Sequence, residues 1–144
     1  LVVSGGVGVG KDVVVGGNLT VYGAVNYTGT QYITYISTSI TTLGVFNLDS
    51  YSASSYRTAK YLVQVVDNGY TPNRVQVGDL LVFHDNNTAS TTQTYVVSYG
   101  IGFNVMELGA WDATYSNGNI VLSFSPYYTP TNMIIKTHRI SLST

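Results

Sequence analysis

The sequence predicts an all-β fold, and three observations carry the expectation. Valine, isoleucine, threonine and tyrosine fill 59 of 144 positions, and β-branched and aromatic side chains suit a pleated, half-buried surface. Two segments alternate with a period of two. Tyr95, Val97 and Tyr99 share one face against Thr94, Val96 and Ser98, and Ile120, Leu122 and Phe124 oppose Val121, Ser123 and Ser125. Both apolar triplets are expected in the core. Turn signals separate the apolar runs at Asp67-Asn68-Gly69, Asp85-Asn86-Asn87 and Ser116-Asn117-Gly118-Asn119. No segment joins a 3.6-residue period to helix caps.

Taken in order, the elements divide the chain in two. From Leu1 to Gly23 short valine-rich pieces are cut by glycine, with Gly-Gly pairs at 5/6 and 16/17. Such pieces turn every few residues and cannot enclose a core within one chain. Fewer than three repeat units are present to stack on one another, so identical neighbours in a closed symmetric assembly are expected to cover them. Residues 1–42 therefore read as a glycine-rich oligomerisation stem, ending in a Thr-, Ser- and Tyr-rich, strand-like connector from Asn26 to Thr42. Residues 43–144 read as an antiparallel β-sandwich or jelly-roll-like head of about eight strands. Expected strands include 60–66, 74–77, 80–84, 92–99 and 120–125. The chain opens on Leu1 rather than Met, as a piece of a longer protein would.

Charge and composition exclude several function classes. Charged residues make up 9% of the chain, six Lys and Arg against seven Asp and Glu, for a net charge of -1. Without a basic cluster there is no electrostatic footprint for nucleic acid or for an anionic membrane surface. No apolar run approaches the roughly 20 residues that span a bilayer as a helix. The absence of cysteine removes disulfides, thiolate metal ligands and thiol catalysis.

Motifs that could carry chemistry fail on inspection. Gly5 to Lys11 nearly spells a phosphate-binding loop, but Asp12 stands where a Ser or Thr hydroxyl would hold Mg²⁺, and Val13-Val14-Val15-Gly16-Gly17 opposes the helix such a loop needs. His84 and His138 have no third ligand at metal spacing and no Gly-x-Ser-x-Gly elbow beside them, so both read as strand-end histidines. Glu107 is the sole glutamate, while Asp67, Asp79 and Asp85 read as turn residues, leaving no facing carboxylates for glycoside hydrolysis. Arg57 and Lys60 open a strand and would need a partner if buried, with Asp49, Asp79 and Asp112 as the choices. Trp111 is expected in the core. Of the thirteen tyrosines, Tyr127 and Tyr128 lie between the last two strands and are the expected exposed pair, suited to a sugar face or a subunit interface. No catalytic, cofactor-binding or metal-binding residue is expected.

Two stretches also resemble known proteins. Gly5-Gly6-Val7-Gly8-Val9-Gly10-Lys11-Asp12-Val13-Val14-Val15-Gly16-Gly17-Asn18-Leu19-Thr20-Val21-Tyr22-Gly23 resembles the glycine-punctuated stems of trimeric tailed-phage fibre and structural proteins. Leu48 to Ser52, Tyr56 to Val65, Leu81 to Asp85, Gly118 to Leu122 and Lys136 to Arg139, in that order, resemble a β domain of virion structural proteins from marine and cyanobacterial myoviruses. The resemblance implies a homotrimeric, non-enzymatic virion protein of the tail fibre, baseplate or capsid exterior, contacting other virion proteins. Its alternative is a host-recognition module whose head binds a surface glycan. Ala110-Trp111-Asp112-Ala113 and the polar segment 88–94 depart from the pattern.

Overall fold

The computed structural model describes residues 5–11, 13–23, 25–26, 31–85 and 93–143. Among these residues it contains nine strands and no helix, so the all-β expectation holds. The strands are β1 (Val25–Asn26), β2 (Gln31–Ile40), β3 (Phe46–Ser52), β4 (Tyr56–Asp67), β5 (Arg74–His84), β6 (Thr94–Phe103), β7 (Gly109–Ser116), β8 (Asn119–Pro126) and β9 (Met133–Ser143). A six-stranded sheet runs in the order β1-β2-β9-β4-β5-β6, and a three-stranded sheet in the order β3-β8-β7. Every pairing is antiparallel.

Period-two alternation explains how the sheets face each other. In β4, Ala59, Tyr61, Val63 and Val65 are buried while Lys60, Leu62 and Gln64 are exposed. Their partners Val82 and Leu80 on β5 and Ile135 on β9 share the inward face. From the smaller sheet, Tyr51, Ala113, Ile120 and Leu122 pack against Ala59, Tyr61, Val63, Leu80 and Val82 as one core cluster. A second cluster joins Ile40, Leu48, Val65, Leu108, Phe124, Met133 and Ile135. Trp111 is half-buried and packs against both clusters, its ring 4.8 Å from that of Phe124. At about 25 cal/mol per Å² of apolar surface, this contiguous burial is the main stabilising term of the head.

One expected core triplet is right and the other is reversed. Ile120, Leu122 and Phe124 are fully buried on β8, the central strand of the small sheet. Tyr95, Val97 and Tyr99 instead face outward from β6, the edge of the large sheet, and are 40%, 38% and 52% exposed. Val96, opposite the buried Val82, is the residue that packs on the core. Alternation says which residues share a face; it does not say which face is covered.

Three further differences concern continuity. The strands expected at 74–77 and 80–84 are one strand, β5, and Gly78-Asp79 marks a register shift against β6 rather than a break. Gly78 lies so close to Ile101 that an added Cβ would sit 2.3 Å from its Cδ1. Within the segment read as a connector, β2 pairs with β9 over ten residues and is a full member of the large sheet. Thr92, expected to open a strand, lies outside the described residues.

Of the segment read as a stem, residues 5–11 and 13–23 form no strand and are exposed throughout. A Cβ placed on Gly5, Gly6, Gly16 or Gly17 would meet nothing within 4 Å. Gly5 to Lys11 contains no helix; Asp12 lies outside the described residues.

Candidate functional site

Register gives the sandwich two distinct ends. Gln31 pairs with Leu142, Tyr56 with Ser143 and His84 with Thr94 at one end, near which β1 pairs with Tyr32 and Ile33. Ile40 and Asp67 pair with Met133, Gln76 with Phe103 and Gly109 with Pro126 at the other. Four connections therefore converge on that second end: 41–45, 68–73, 104–108 and 127–132. Tyr127 and Tyr128 lie there, 52% and 50% exposed.

Hydrogen bonds tie three of these loops, 68–73, 104–108 and 127–132, into one surface. Buried Asp67 accepts from the Gly69 and Asn132 amides at 3.2 and 3.3 Å, and the Asn68 amide donates to the Asn132 carbonyl at 2.9 Å. This is the turn-capping role expected of Asp67, extended to a second loop. The two loops approach so closely that a Cβ on Gly69 would lie 2.3 Å from Thr131 Cβ. Asn73 Nδ2 donates to Asn68 Oδ1 at 3.0 Å, and Asn104 Nδ2 donates to the Asn73 carbonyl at 2.8 Å. Asn104 Oδ1 accepts from the Val75 amide at 2.8 Å. Gln76, 1% exposed, accepts from the Leu108 amide and donates to the Gly109 carbonyl at 3.1 Å. The Tyr127 amide donates to the Leu108 carbonyl at 2.9 Å, and Pro130 is buried beneath the loop. On the same end, the Arg74 guanidinium lies 3.4 Å from the Tyr70 ring centroid. The result is a surface of aromatic rings, side-chain amides and one guanidinium on a braced frame.

The centre of the sandwich holds the buried charge. Arg139 on β9 and Asp49 on β3 form an ion pair at 2.7 Å, their side chains 5% and 7% exposed, so the pair joins the two sheets. A register shift between Asn47 and Asp49 brings Asp49 opposite the buried Leu122. Arg139 also donates to the Ser50 carbonyl at 3.0 Å, and the Tyr61 hydroxyl donates to Asp49 at 3.1 Å. Burial pushes the Asp49 carboxyl upward, opposed by the Arg139 charge and by hydrogen bonds from Tyr61 and the Ser50 amide. The phenols of Tyr51 and Tyr61 are raised by burial, and the Asp49 charge raises both further. This arrangement binds the sheets together; its donors and acceptors face one another.

The other residues singled out in the sequence fall as follows. Lys60 pairs with Asp79 at 3.1 Å on the exposed outer face, one of the partners expected for it. Asp79 itself stands in β5, not in a turn. Arg57 is exposed beside a register shift in β4. Asp85 accepts from the Gln93 amide at 3.2 Å, and Asp112 from the Ala113 amide at 2.8 Å. His84 closes β5, buried, and donates from Nε2 to the Tyr56 carbonyl at 3.1 Å. His138, expected at a strand end, is instead in the middle of β9 on the outer face, between Tyr35 and Leu62. The inter-sheet pair was not anticipated. Its signal was Arg139 falling on the same parity as Met133, Ile135 and Thr137, the buried face of β9.

No family model matches the chain, and no curated protein matches it. Among solved structures, the tailspike protein of Acinetobacter baumannii phage AM24 is similar with a TM-score of 0.42 and 11% identity, over 78% of this chain and 26% of that one. The tailspike protein of Acinetobacter phage vB_ApiP_P1 is similar with a TM-score of 0.39 and 14% identity, over 88% of this chain and 24% of that one. The chain thus spans about a quarter of the length of these phage tail proteins. Among the described residues no helix is long and apolar enough to cross a membrane.

Proposed function

We propose that this chain is a structural component of a tailed-phage virion, in a tail fibre, the baseplate or an exterior decoration, and that it assembles as a homotrimer through residues 1–23. The observation that carries the reading is the polarity of the head. β1 pairs with Tyr32 and Ile33 near one end of the large sheet, while four connections, three of them tied together by hydrogen bonds, occupy the other, so the attachment point and the loop end are separate parts of the head. The sequence resemblance of both parts to phage fibre and virion proteins supports the same reading, as do stem valines that lack cover from their own chain. We read the role as architectural rather than enzymatic, a reading that the ion pair holding Asp49 on Arg139 between the sheets supports. Immunogold labelling of intact particles with antibody to the head tests the assignment; label confined to the host cell, with none on the particle, would refute it.

A second reading makes the head a carbohydrate-binding module. It is favoured by the exposure of Tyr127 and Tyr128 at the loop end, since a half-exposed phenol ring stacks on a sugar face while its hydroxyl stays wet. Binding of the full chain to a glycan array, weakened in Tyr127→Ala and Tyr128→Ala, is the expected result.

A further inference from the structure

We infer that the loop end selects carboxylated saccharides, with Arg74 as the residue that reads the acid; the inference rests on the carbohydrate-binding reading above. Arg74 opens β5, and its cross-strand neighbour Asp67 would be the natural counter-ion. Asp67 is instead buried and occupied by the Gly69 and Asn132 amides. Among the described residues Arg74 forms no ion pair, whereas Lys60 and Arg139 each hold a carboxylate. Glu107, in the neighbouring 104–108 loop, does not pair with it either.

The Tyr70 ring under the guanidinium fixes the plane of Arg74. A guanidinium so oriented keeps its edge donors available, and that edge matches the two oxygens of a carboxylate in a bidentate pair. The stack also lowers the ordering cost of a long side chain. On the same end of the sandwich are the exposed phenol rings of Tyr127 and Tyr128, carried on loops that the amides of Asn68, Asn73 and Asn104 help to brace. A neutral sugar would use the rings and leave the guanidinium idle. A uronic or sialic acid would use both. The chain's net charge of -1 supplies no general attraction for polyanions, so a preference for acid over ester must come from a local cation.

The test uses the full chain on an array carrying oligogalacturonides, oligoglucuronides and sialylated glycans beside the methyl ester of each, followed by titration calorimetry on the ligands retained. Acidic members should bind about tenfold or more tightly than their esters, the scale of one charge-assisted pair. Added salt should erode that preference. Arg74→Gln should abolish it while leaving ester binding and the thermal midpoint nearly unchanged. Tyr127→Ala should weaken acid and ester alike. Equal binding of acid and ester overturns the inference and leaves the carbohydrate reading standing. An acid preference that survives Arg74→Gln overturns the assignment to Arg74. Retention of no saccharide at all overturns both.

Discussion

Valine has opposite fates in the two halves of this chain. In the stem Val13, Val14 and Val15 are 67%, 92% and 45% exposed, whereas Val63, Val65 and Val82 in the head are at most 1% exposed. The residue type is the same; what differs is the number of strands around it. A head strand such as β9 has β2 and β4 on either side and a second sheet above. Among the described residues the glycine-punctuated stretches 5–11 and 13–23 belong to no strand. β propensity is thus realised only where a sheet exists to receive it, and in the proposed trimer the stem would gain its apolar burial from other copies.

The largest effect expected concerns where the two regions divide. Deleting residues 1–42 removes β2 and strips one side of β9 along ten paired residues, and this truncation should unfold or aggregate through its exposed edge. Deleting residues 1–23 should leave the thermal transition of the head intact. Equal stability of the two truncations would show that β2 belongs functionally to the stem.

Next in size, Phe124→Ala should destabilise the head by about 3–5 kcal/mol, as large-to-small changes at packed aromatic sites do. Asp49→Ala should cost a similar amount, about 3–5 kcal/mol, because Arg139 would be left charged between the sheets. The double change Asp49→Leu with Arg139→Met should recover most of that loss, as read from chemical denaturation. Failure to recover would mean that the pair contributes more than its own neutralisation.

A smaller, pH-dependent effect separates the regions by chemistry. Tyr51 and Tyr61 have phenols raised above the ordinary tyrosine value in the folded state, near 10 in the unfolded chain. A raised folded pKa gives stability that is fully present below about pH 10 and is lost as the unfolded state releases protons above it. Head stability should therefore fall at alkaline pH, and Tyr61→Phe should flatten that fall while costing about 1 kcal/mol at neutral pH for the lost bond to Asp49. Tyr95→Ala, on the outer face and stacked 5.0 Å from Phe83, should cost about 1 kcal/mol or less. Val14→Ser in the stem should leave the melting of the head unchanged, altering association alone.

Which of these features could be read beforehand follows from the range of the interactions involved. Turn chemistry is local, so Asp67-Asn68-Gly69 and Asn117-Gly118 were legible. Parity is local too, and it correctly grouped Ile120 with Leu122 and Phe124. Direction is not local: Tyr95, Val97 and Tyr99 face outward because β6 ends the large sheet, and only the strand order reveals that. β9 illustrates the same point, since the partners of His138, Tyr35 on β2 and Leu62 on β4, lie 103 and 76 positions before it and no local window contains them. The exposed tyrosines of the loop end were legible as an aromatic pair between two strands. The gathering of Tyr70, Arg74, Asn73 and Asn104 beside that loop was not, because it depends on four connections arriving at one end.

The central claim is that the stem associates and the head folds by itself, and sedimentation velocity across a dilution series tests it most directly. The full chain should sediment as a trimer down to low micromolar concentration, while residues 24–144 should sediment as a folded monomer with the same β-type spectrum. A full chain that is monomeric yet ordered through its stem at micromolar concentration, or a truncated chain that remains trimeric, would contradict the account.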